Sequence, residues 1–357
     1  LSTLPEGKRN LELKDVFTRY TNDVIATCAF GVEVDSLADR DNAFYLNGKK
    51  ATNFDGLQSF FLLRSMPSVA NLLRLRFVKP KFANFFKEMV ASTIKYRDEN
   101  GVVRPDMIQL MMDTRGKLGE GKELTIEDMT AQAFIFFLGG FDSNVTMMAF
   151  SAYHIGIDPE IQRKVHKEID EVLAKCDGEA TYDAINDMKY LEAVMYEALR
   201  MYPVISVLER VCTKPFELPP ALPGLKPHVL QKGDYIWVPI YGFHYDPNHF
   251  EEPEKFNPDR FMDDPKKLVN SGAFLGFGIG PRMCIGNRFA LLETKVFLFH
   301  MFARCTLKPC ARTTVPMALS KKGFQMKPVD GFWFDVEPRN PAVPVYVNSM
   351  GDSYTAS

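Results

Sequence analysis

A chain of 357 residues exceeds what one ordinary hydrophobic core requires, so one large domain or two smaller ones are both open. Apolar residues make up 46% and charged residues 25%, which excludes a disordered chain, and a net charge of −2 speaks against a nucleic-acid binder. Six cysteines without a Cys-x-x-Cys pair, and no His pair at zinc spacing, exclude a disulfide framework and a zinc module and suit a reducing compartment. The longest uncharged apolar stretch, 131–141, is too short to span a bilayer, and a chain opening on Leu1 is expected to be a fragment.

The first two thirds read as amphipathic helices. Residues 13–30 form one stopped by Gly31, and 54–66 is rich in Phe and Leu and ends before Pro67. Residues 71–78 mix leucines with Arg74 and Arg76. A helix over 82–97 ends at the Asn100-Gly101 turn, 106–113 follows, and 115–122 is a polar loop. Thr125 and Asp128 stand close to a capping box, opening a helix that runs through 134–141 towards Ile157. Asp158-Pro159 starts the next helix, over 160–173, and 191–202 completes the helical part. Beyond Pro203, Pro and Gly become frequent and short β-rich pieces such as 235–240 appear; a last helix follows Gly286 and reaches about Arg304. The expected fold class is mainly α with a small β region, a single domain over 1–357. Its helix-rich part, 1–202, and its Pro/Gly- and β-rich part, 203–357, are joined without a linker.

The most informative stretch is FLGFGIGPRMCIGNRFALLE, residues 274–293. Gly276, Gly278, Gly280 and Gly286 crowd one short loop, which implies backbone at positive φ or backbone approaching something flat and large. Cys284, beside Arg282 and just before a helix start, sits where a thiolate is favoured. A buried neutral thiol is the ordinary fate of a lone cysteine, but packing alone does not call for four glycines and an arginine around it.

The pattern Phe277-x-x-Gly280-x-Arg282-x-Cys284-x-Gly286 resembles the haem-binding signature of the cytochrome P450 superfamily at all five fixed positions. The resemblance implies a partial cytochrome P450 fold lacking its N-terminal part, and haem b as cofactor. It makes Cys284 the axial ligand of the iron, pairs Arg282 with a haem propionate and packs Phe277 beside the sulfur. Gly278 and Gly286 shape the cofactor loop, and Arg210, in YPVISVLERV, meets the other propionate. A thiolate ligand pushes electron density onto the iron and favours O–O cleavage.

Further constellations match in the family's order. Glu197 and Arg200, at i and i+3, share one helix face, with Leu191, Val194, Met195, Ala198 and Leu199 as the opposing apolar stripe. Alone, such a pair reads as an ordinary surface ion pair. FNPDRF, residues 256–261, resembles the family's Pro-x-Arg-Phe element, and the family joins Glu197, Arg200 and Arg260 into a buried structural network. Gly139-Gly140-Phe141-Asp142-Ser143-Asn144 resembles the family's distal-helix motif, in which Asp142 and Ser143 form the catalytic acid–alcohol proton relay. Two mid-helix glycines are costly, and a local opening of the helix would explain both. Ser143 stands where the family usually has Thr, and lacks the methyl group that limits rotamers. The resemblance places Ile135, Leu138, Gly139, Ile205, Val207, Leu208 and Phe324 along the substrate pocket, with Gly323 beside Phe324 in a turn.

The opening ELKDVFTRYTNDVIATCAFGVEVDSL resembles the insect branch of the microsomal members, family nine in the usual naming. The implied activity is insertion of one oxygen atom of O2 into a lipophilic substrate, with NADPH used indirectly through cytochrome P450 reductase and cytochrome b5 as a further partner. The implied place is the cytoplasmic face of the endoplasmic reticulum, and the implied role is detoxification. Leucines and cations interleaved over 61–78 predict a contact with the membrane surface. Two rivals are a haem-binding protein without turnover and a haem-thiolate isomerase that needs no reductase. The retained Asp142–Ser143 pair disfavours the isomerase.

Overall fold

In the computed structural model the described residues are 9–52, 67–72, 76, 78–117, 119, 122–263, 265–320 and 326–339. They form two compact units: Glu12–Ala149, and Phe150–Ser357 together with Leu1–Leu11. The division falls inside the helix Ser143–Ile157, and not at Pro203, where the composition changes.

The unit Glu12–Ala149 is helical. Its helices include Leu13–Ile25, Ala43–Ala51, Pro80–Asn100, Met107–Met112 and Ile126–Phe141. The helix expected over 13–30 changes pitch. After Ile25 the turn widens into a π segment, Ala26–Phe30, which closes on Gly31 at φ +66°. Ala26, Ala29 and Phe30 are buried, so the wider turn lies in the core. Thr125 accepts the Asp128 amide while the Asp128 carboxylate accepts the Thr125 amide, a complete capping box. The core is aromatic. The Phe137 ring lies 4.9 Å from Phe141, 5.3 Å from Phe86 and 5.5 Å from Phe44. Each ring in such a cluster adds contact energy beyond the area it buries.

The other unit holds the helices Pro159–Lys175, Lys189–Met201 and Asn287–Arg304, and three small sheets. Asp158 accepts the Glu160 and Ile161 amides and Pro159 occupies the first turn, so Asp-Pro starts this helix as expected. Helix Lys189–Met201 has no side-chain cap of its own. Instead Glu168, on the neighbouring helix, accepts the amides of Lys189 (2.8 Å), Tyr190 (2.8 Å) and Leu191 (2.9 Å). A carboxylate at a helix N-terminus also opposes the helix dipole favourably. Gln162 pairs with both backbone groups of Leu307, tying helix Pro159–Lys175 to strand Cys305–Pro309. That strand pairs antiparallel with Trp333–Pro338, whose other edge takes Asn10–Glu12. Strands Leu208–Val211 and Tyr235–Val238 form a second antiparallel pair, and Phe216–Leu218 with His228–Leu230 a third. Buried Lys295, on helix Asn287–Arg304, pairs with Glu192 and donates to the Asn186 carbonyl, which fixes this helix against Lys189–Met201.

The sequence 54–66 and the turn holding Gly323 and Phe324 lie outside the described residues. Of the stretch 61–78, residues 67–72, 76 and 78 are described, and Leu72 is exposed.

Candidate cofactor site

The Cys284 loop is built from its backbone. The Leu275 carbonyl accepts the Gly278 amide at 2.9 Å, and the Phe277 carbonyl accepts the Cys284 amide at 2.8 Å. Gly278 and Gly280 stand at φ +70° and +72°, the left-handed conformation that only glycine adopts without strain. A short 3-10 turn, Gly280–Arg282, then carries the chain to Cys284 and into helix Asn287–Arg304. Gly276 has a different reason: a Cβ there would lie 2.5 Å from the Phe274 ring. A Cβ on Gly280 or Gly286 would meet nothing within 4 Å.

The Cys284 thiol is exposed. Around it the loop leaves large apolar side chains at the surface: Ile279, Met283, Phe289, and Ile285 at 88% exposure. Arg282 is exposed, and so is Arg210, whose guanidinium donates to the Glu209 carbonyl at 2.8 Å. Phe277 is half-buried. Strand Leu208–Val211 runs beside the loop, since a Cβ on Gly278 would lie 3.9 Å from a Leu208 methyl group. Ile205 and Val207, just before it, are exposed.

The loop is tied through His244 to a buried ion pair, Glu197–Arg200, which the partly exposed Arg260 joins. Glu197 and Arg200 are both 0% exposed. Glu197 accepts two bonds from the Arg200 guanidinium, at 2.7 and 2.8 Å, then the Asn257 amide at 2.8 Å and the Arg260 Nε at 3.3 Å. Arg200 spends its remaining donors on the carbonyls of His244 (2.9 Å) and Lys255 (3.3 Å). Bidentate arginine–carboxylate bonds are among the strongest in proteins. Helix Lys189–Met201 therefore has no solvent face here. Glu197 and Arg200 are as buried as Leu191, Val194, Met195, Ala198 and Leu199, and the reading of a surface ion pair is excluded.

Two contributors carried no sequence signal. Asn257 reaches Glu197 with its backbone amide, which no side-chain pattern announces. His244, between tyrosines and phenylalanines, is fully buried and bonds to both Arg200 and Leu275.

The motif 139–144 lies in the unit Glu12–Ala149 together with most of its helix. The helix does break there: Ile126–Phe141 ends at Asp142 and Ser143–Ile157 begins anew. Hydroxyl groups bond to the carbonyls around the break, at Asp142 beside the Thr146 amide. Ser143 donates to the Gly139 carbonyl, Thr21 to the Phe141 carbonyl at 3.1 Å, and Thr146 to the Asp142 carbonyl at 3.0 Å. The two glycines do different jobs, contrary to the single explanation offered from sequence. A Cβ on Gly140 would lie 3.2 Å from Ile25, so this glycine permits close helix packing. A Cβ on Gly139 would meet nothing, because Gly139 lies on an open face with Ile135, which is 54% exposed. Leu138 and Asp142 are half-buried.

The sequence model of the cytochrome P450 family matches residues 3–333. This chain belongs to the cytochrome P450 family. It is similar to cytochrome P450 9e2 of Blattella germanica, with 41% identity over 92% of this chain and 64% of the relative. It is also similar to two proteins of Drosophila melanogaster. Cytochrome P450 9c1 is 37% identical over 95% of this chain and 68% of the relative, and cytochrome P450 6a9 is 36% identical over 92% and 66%. The chain spans about two thirds of the length of these curated relatives. The cytochrome P450 cofactor is a haem, a broad apolar disc with two carboxylates and an iron that takes an axial thiolate. The residues fit it. An exposed sulfur stands among apolar side chains that folding leaves uncovered, beside glycines whose Cβ direction is open and with exposed arginines on the loop and the adjacent strand. Among the described residues no group of three or more His, Cys, Asp and Glu side chains is gathered for a metal ion.

Proposed function

We propose that this chain is the haem-carrying part of a haem-thiolate monooxygenase that inserts one oxygen atom of O2 into a lipophilic organic substrate and reduces the other to water. NADPH supplies the two electrons, passed on by cytochrome P450 reductase, with cytochrome b5 as an additional donor. The observation that carries this reading is the exposed Cys284 thiol, held in a glycine-shaped loop tied to a buried ion pair.

When bound, the haem supplies dioxygen activation, which its thiolate ligand favours. The protein's part is to hold and to exclude. Cys284 is fixed through its own amide on the Phe277 carbonyl. Arg282 and Arg210 supply positive charge for the propionates. The family resemblance gives the contact with a lipophilic substrate to Ile135, Leu138 and Gly139 in one unit and to Ile205, Val207 and Leu208 in the other, of which Ile135, Ile205 and Val207 are exposed apolar side chains, and it adds Phe324 from the sequence alone. Asp142 passes a proton to Ser143, whose hydroxyl hydrogen already points at the Gly139 carbonyl and needs only a χ1 rotation to be delivered elsewhere. Serine rotates more freely than threonine, so coupling of NADPH use to product is looser than with threonine there. The family resemblance assigns the chain to detoxification at the cytoplasmic face of the endoplasmic reticulum, and the interleaved leucines and cations of 61–78 support a contact with the membrane surface. The helical run 126–157, interrupted at Asp142, is by length and composition apolar enough to cross a bilayer, but half of its apolar 18-residue window is buried within the protein, as in a core helix.

The test is the spectrum of the ferrous carbonyl complex. The parent protein gives the thiolate-type band and Cys284→Ser loses it. A mutant that kept the band would overturn the ligand assignment and the proposed function with it.

A further inference from the structure

His244 closes the short helix Ile240–His244 and is fully buried. Both of its ring nitrogens are engaged, and both partners are backbone groups of fixed polarity. Nδ1 lies 2.8 Å from the Arg200 carbonyl, which can only accept, and Nε2 lies 2.8 Å from the Leu275 amide, which can only donate. The ring is therefore the neutral tautomer with its proton on Nδ1. It also stacks on Phe274, with ring centroids 5.2 Å apart and planes within 4°.

These bonds link the buried ion pair to the backbone of the Cys284 loop, beside the ring contact of Tyr196 with Phe274, whose centroids lie 5.6 Å apart. On one side is Arg200, whose guanidinium is locked by Glu197 and whose Nη1 donates back to the His244 carbonyl at 2.9 Å. Arg200 and His244 thus hold each other at two points, side chain to main chain in both directions. On the other side is Leu275, whose carbonyl accepts Gly278 as the loop turns towards Cys284. Accepting the Leu275 amide fixes the residue from which the Gly278 turn and the Phe277 to Cys284 bond are built.

We propose that His244 is a positioning residue that transmits the placement of the buried Glu197–Arg200 pair to the Cys284 loop through its Nδ1–H tautomer. This rests on the reading of Cys284 as the haem ligand. Burial lowers the His244 pKa to about 4, with the Arg200 charge adding to the effect against the bond to the Arg200 carbonyl, so the ring is neutral at ordinary pH. A protonated ring would turn an N–H against the Leu275 N–H and break the link.

The first measurement needs no variant and no haem. Nitrogen-15 shifts of the His244 ring in the purified protein at neutral pH are expected to report a neutral Nδ1–H imidazole. An Nε2–H or protonated ring would overturn the proposal. The second compares His244→Phe, which keeps the stack on Phe274 but loses both bonds, with His244→Gln, which restores one donor and one acceptor. In His244→Phe the Leu275 amide exchanges about tenfold faster, haem binds about tenfold more weakly, and part of the ferrous carbonyl complex shifts to the thiol-type band. In His244→Gln all three return towards the parent values. Unchanged Leu275 exchange in a folded His244→Phe, or a folded Gln variant that behaves like Phe, would show that the ring serves packing alone. Failure of the Cys284 reading is seen separately, as a thiolate-type band that survives in Cys284→Ser.

Discussion

Among the described residues each unit contains an arginine–carboxylate pair with both side chains buried, and the two pairs differ in what their remaining bonds reach. In the unit Glu12–Ala149, Arg97 and Asp106 face each other as a two-point pair, both buried. Their other bonds stay local. Asp106 caps the helix Met107–Met112 through the Gln109 amide, at 3.0 Å, and Arg97 reaches the Gln109 side chain at 3.5 Å. That pair closes the hairpin between two consecutive helices. Glu197 and Arg200 instead gather partners far along the chain: His244, Lys255, Asn257 and Arg260. The chemistry of the two pairs is the same. The second organises a functional loop because its leftover donors and acceptors end on backbone from two other segments, at His244 and at 255–257.

The largest expected effects come from cutting each pair. Glu197→Ala and Asp106→Ala each leave an arginine buried without its carboxylate, at a cost of roughly 3–5 kcal/mol. Denaturant titration should show similar losses. Haem binding should separate them, falling sharply only in Glu197→Ala. Equal haem losses in both variants would break the distinction drawn here between a local and an organising pair.

A smaller effect tests how closely the first pair is fitted. Gly31 stands at φ +66°, and a Cβ there would lie 2.1 Å from an Arg97 nitrogen. Gly31→Ala is expected to cost about 2–3 kcal/mol through left-handed strain and displacement of the guanidinium. A variant within about 0.5 kcal/mol of the parent in thermal unfolding would mean that Arg97 moves aside without loss.

The smallest effect concerns the helix that carries the second pair. Glu168→Ala removes the acceptor for three amides at the start of Lys189–Met201 and should cost about 1 kcal/mol, the usual worth of a helix cap. Exchange of the Lys189, Tyr190 and Leu191 amides should quicken, while that of Leu275 stays as in the parent. Faster Leu275 exchange would show that the placement of Arg200 depends on the far end of its helix.

Most of what could be read along the chain was local. The Thr125 cap, the Asp158-Pro159 start, the Gly31 and Gly101 stops and the helix after Gly286 all depend on hydrogen bonds or backbone conformations within a few residues. A sequence shows such neighbours directly. The Cys284 loop was legible for the same reason, since its glycines, Arg282 and the cysteine are contiguous. The Glu197–Arg200 spacing was visible too, but its burial was expected from the family resemblance and not from the spacing itself. An i, i+3 pair looks alike on a solvated helix and on one packed from every side, and only the surrounding elements decide.

What the tertiary structure alone decided lies at long separation. His244 meets Arg200 across 44 residues and Leu275 across 31, and Glu168 caps a helix 21 to 23 residues on. The two adjacent glycines of the distal motif took separate meanings, because Ile25 packs against one and open space lies beside the other. A lone histidine or a pair of glycines specifies no partner by itself. Its role is set when helices from distant parts of the chain bring a carbonyl, an amide or a methyl group within reach, and that depends on the packing of the whole unit rather than on any run of neighbouring residues.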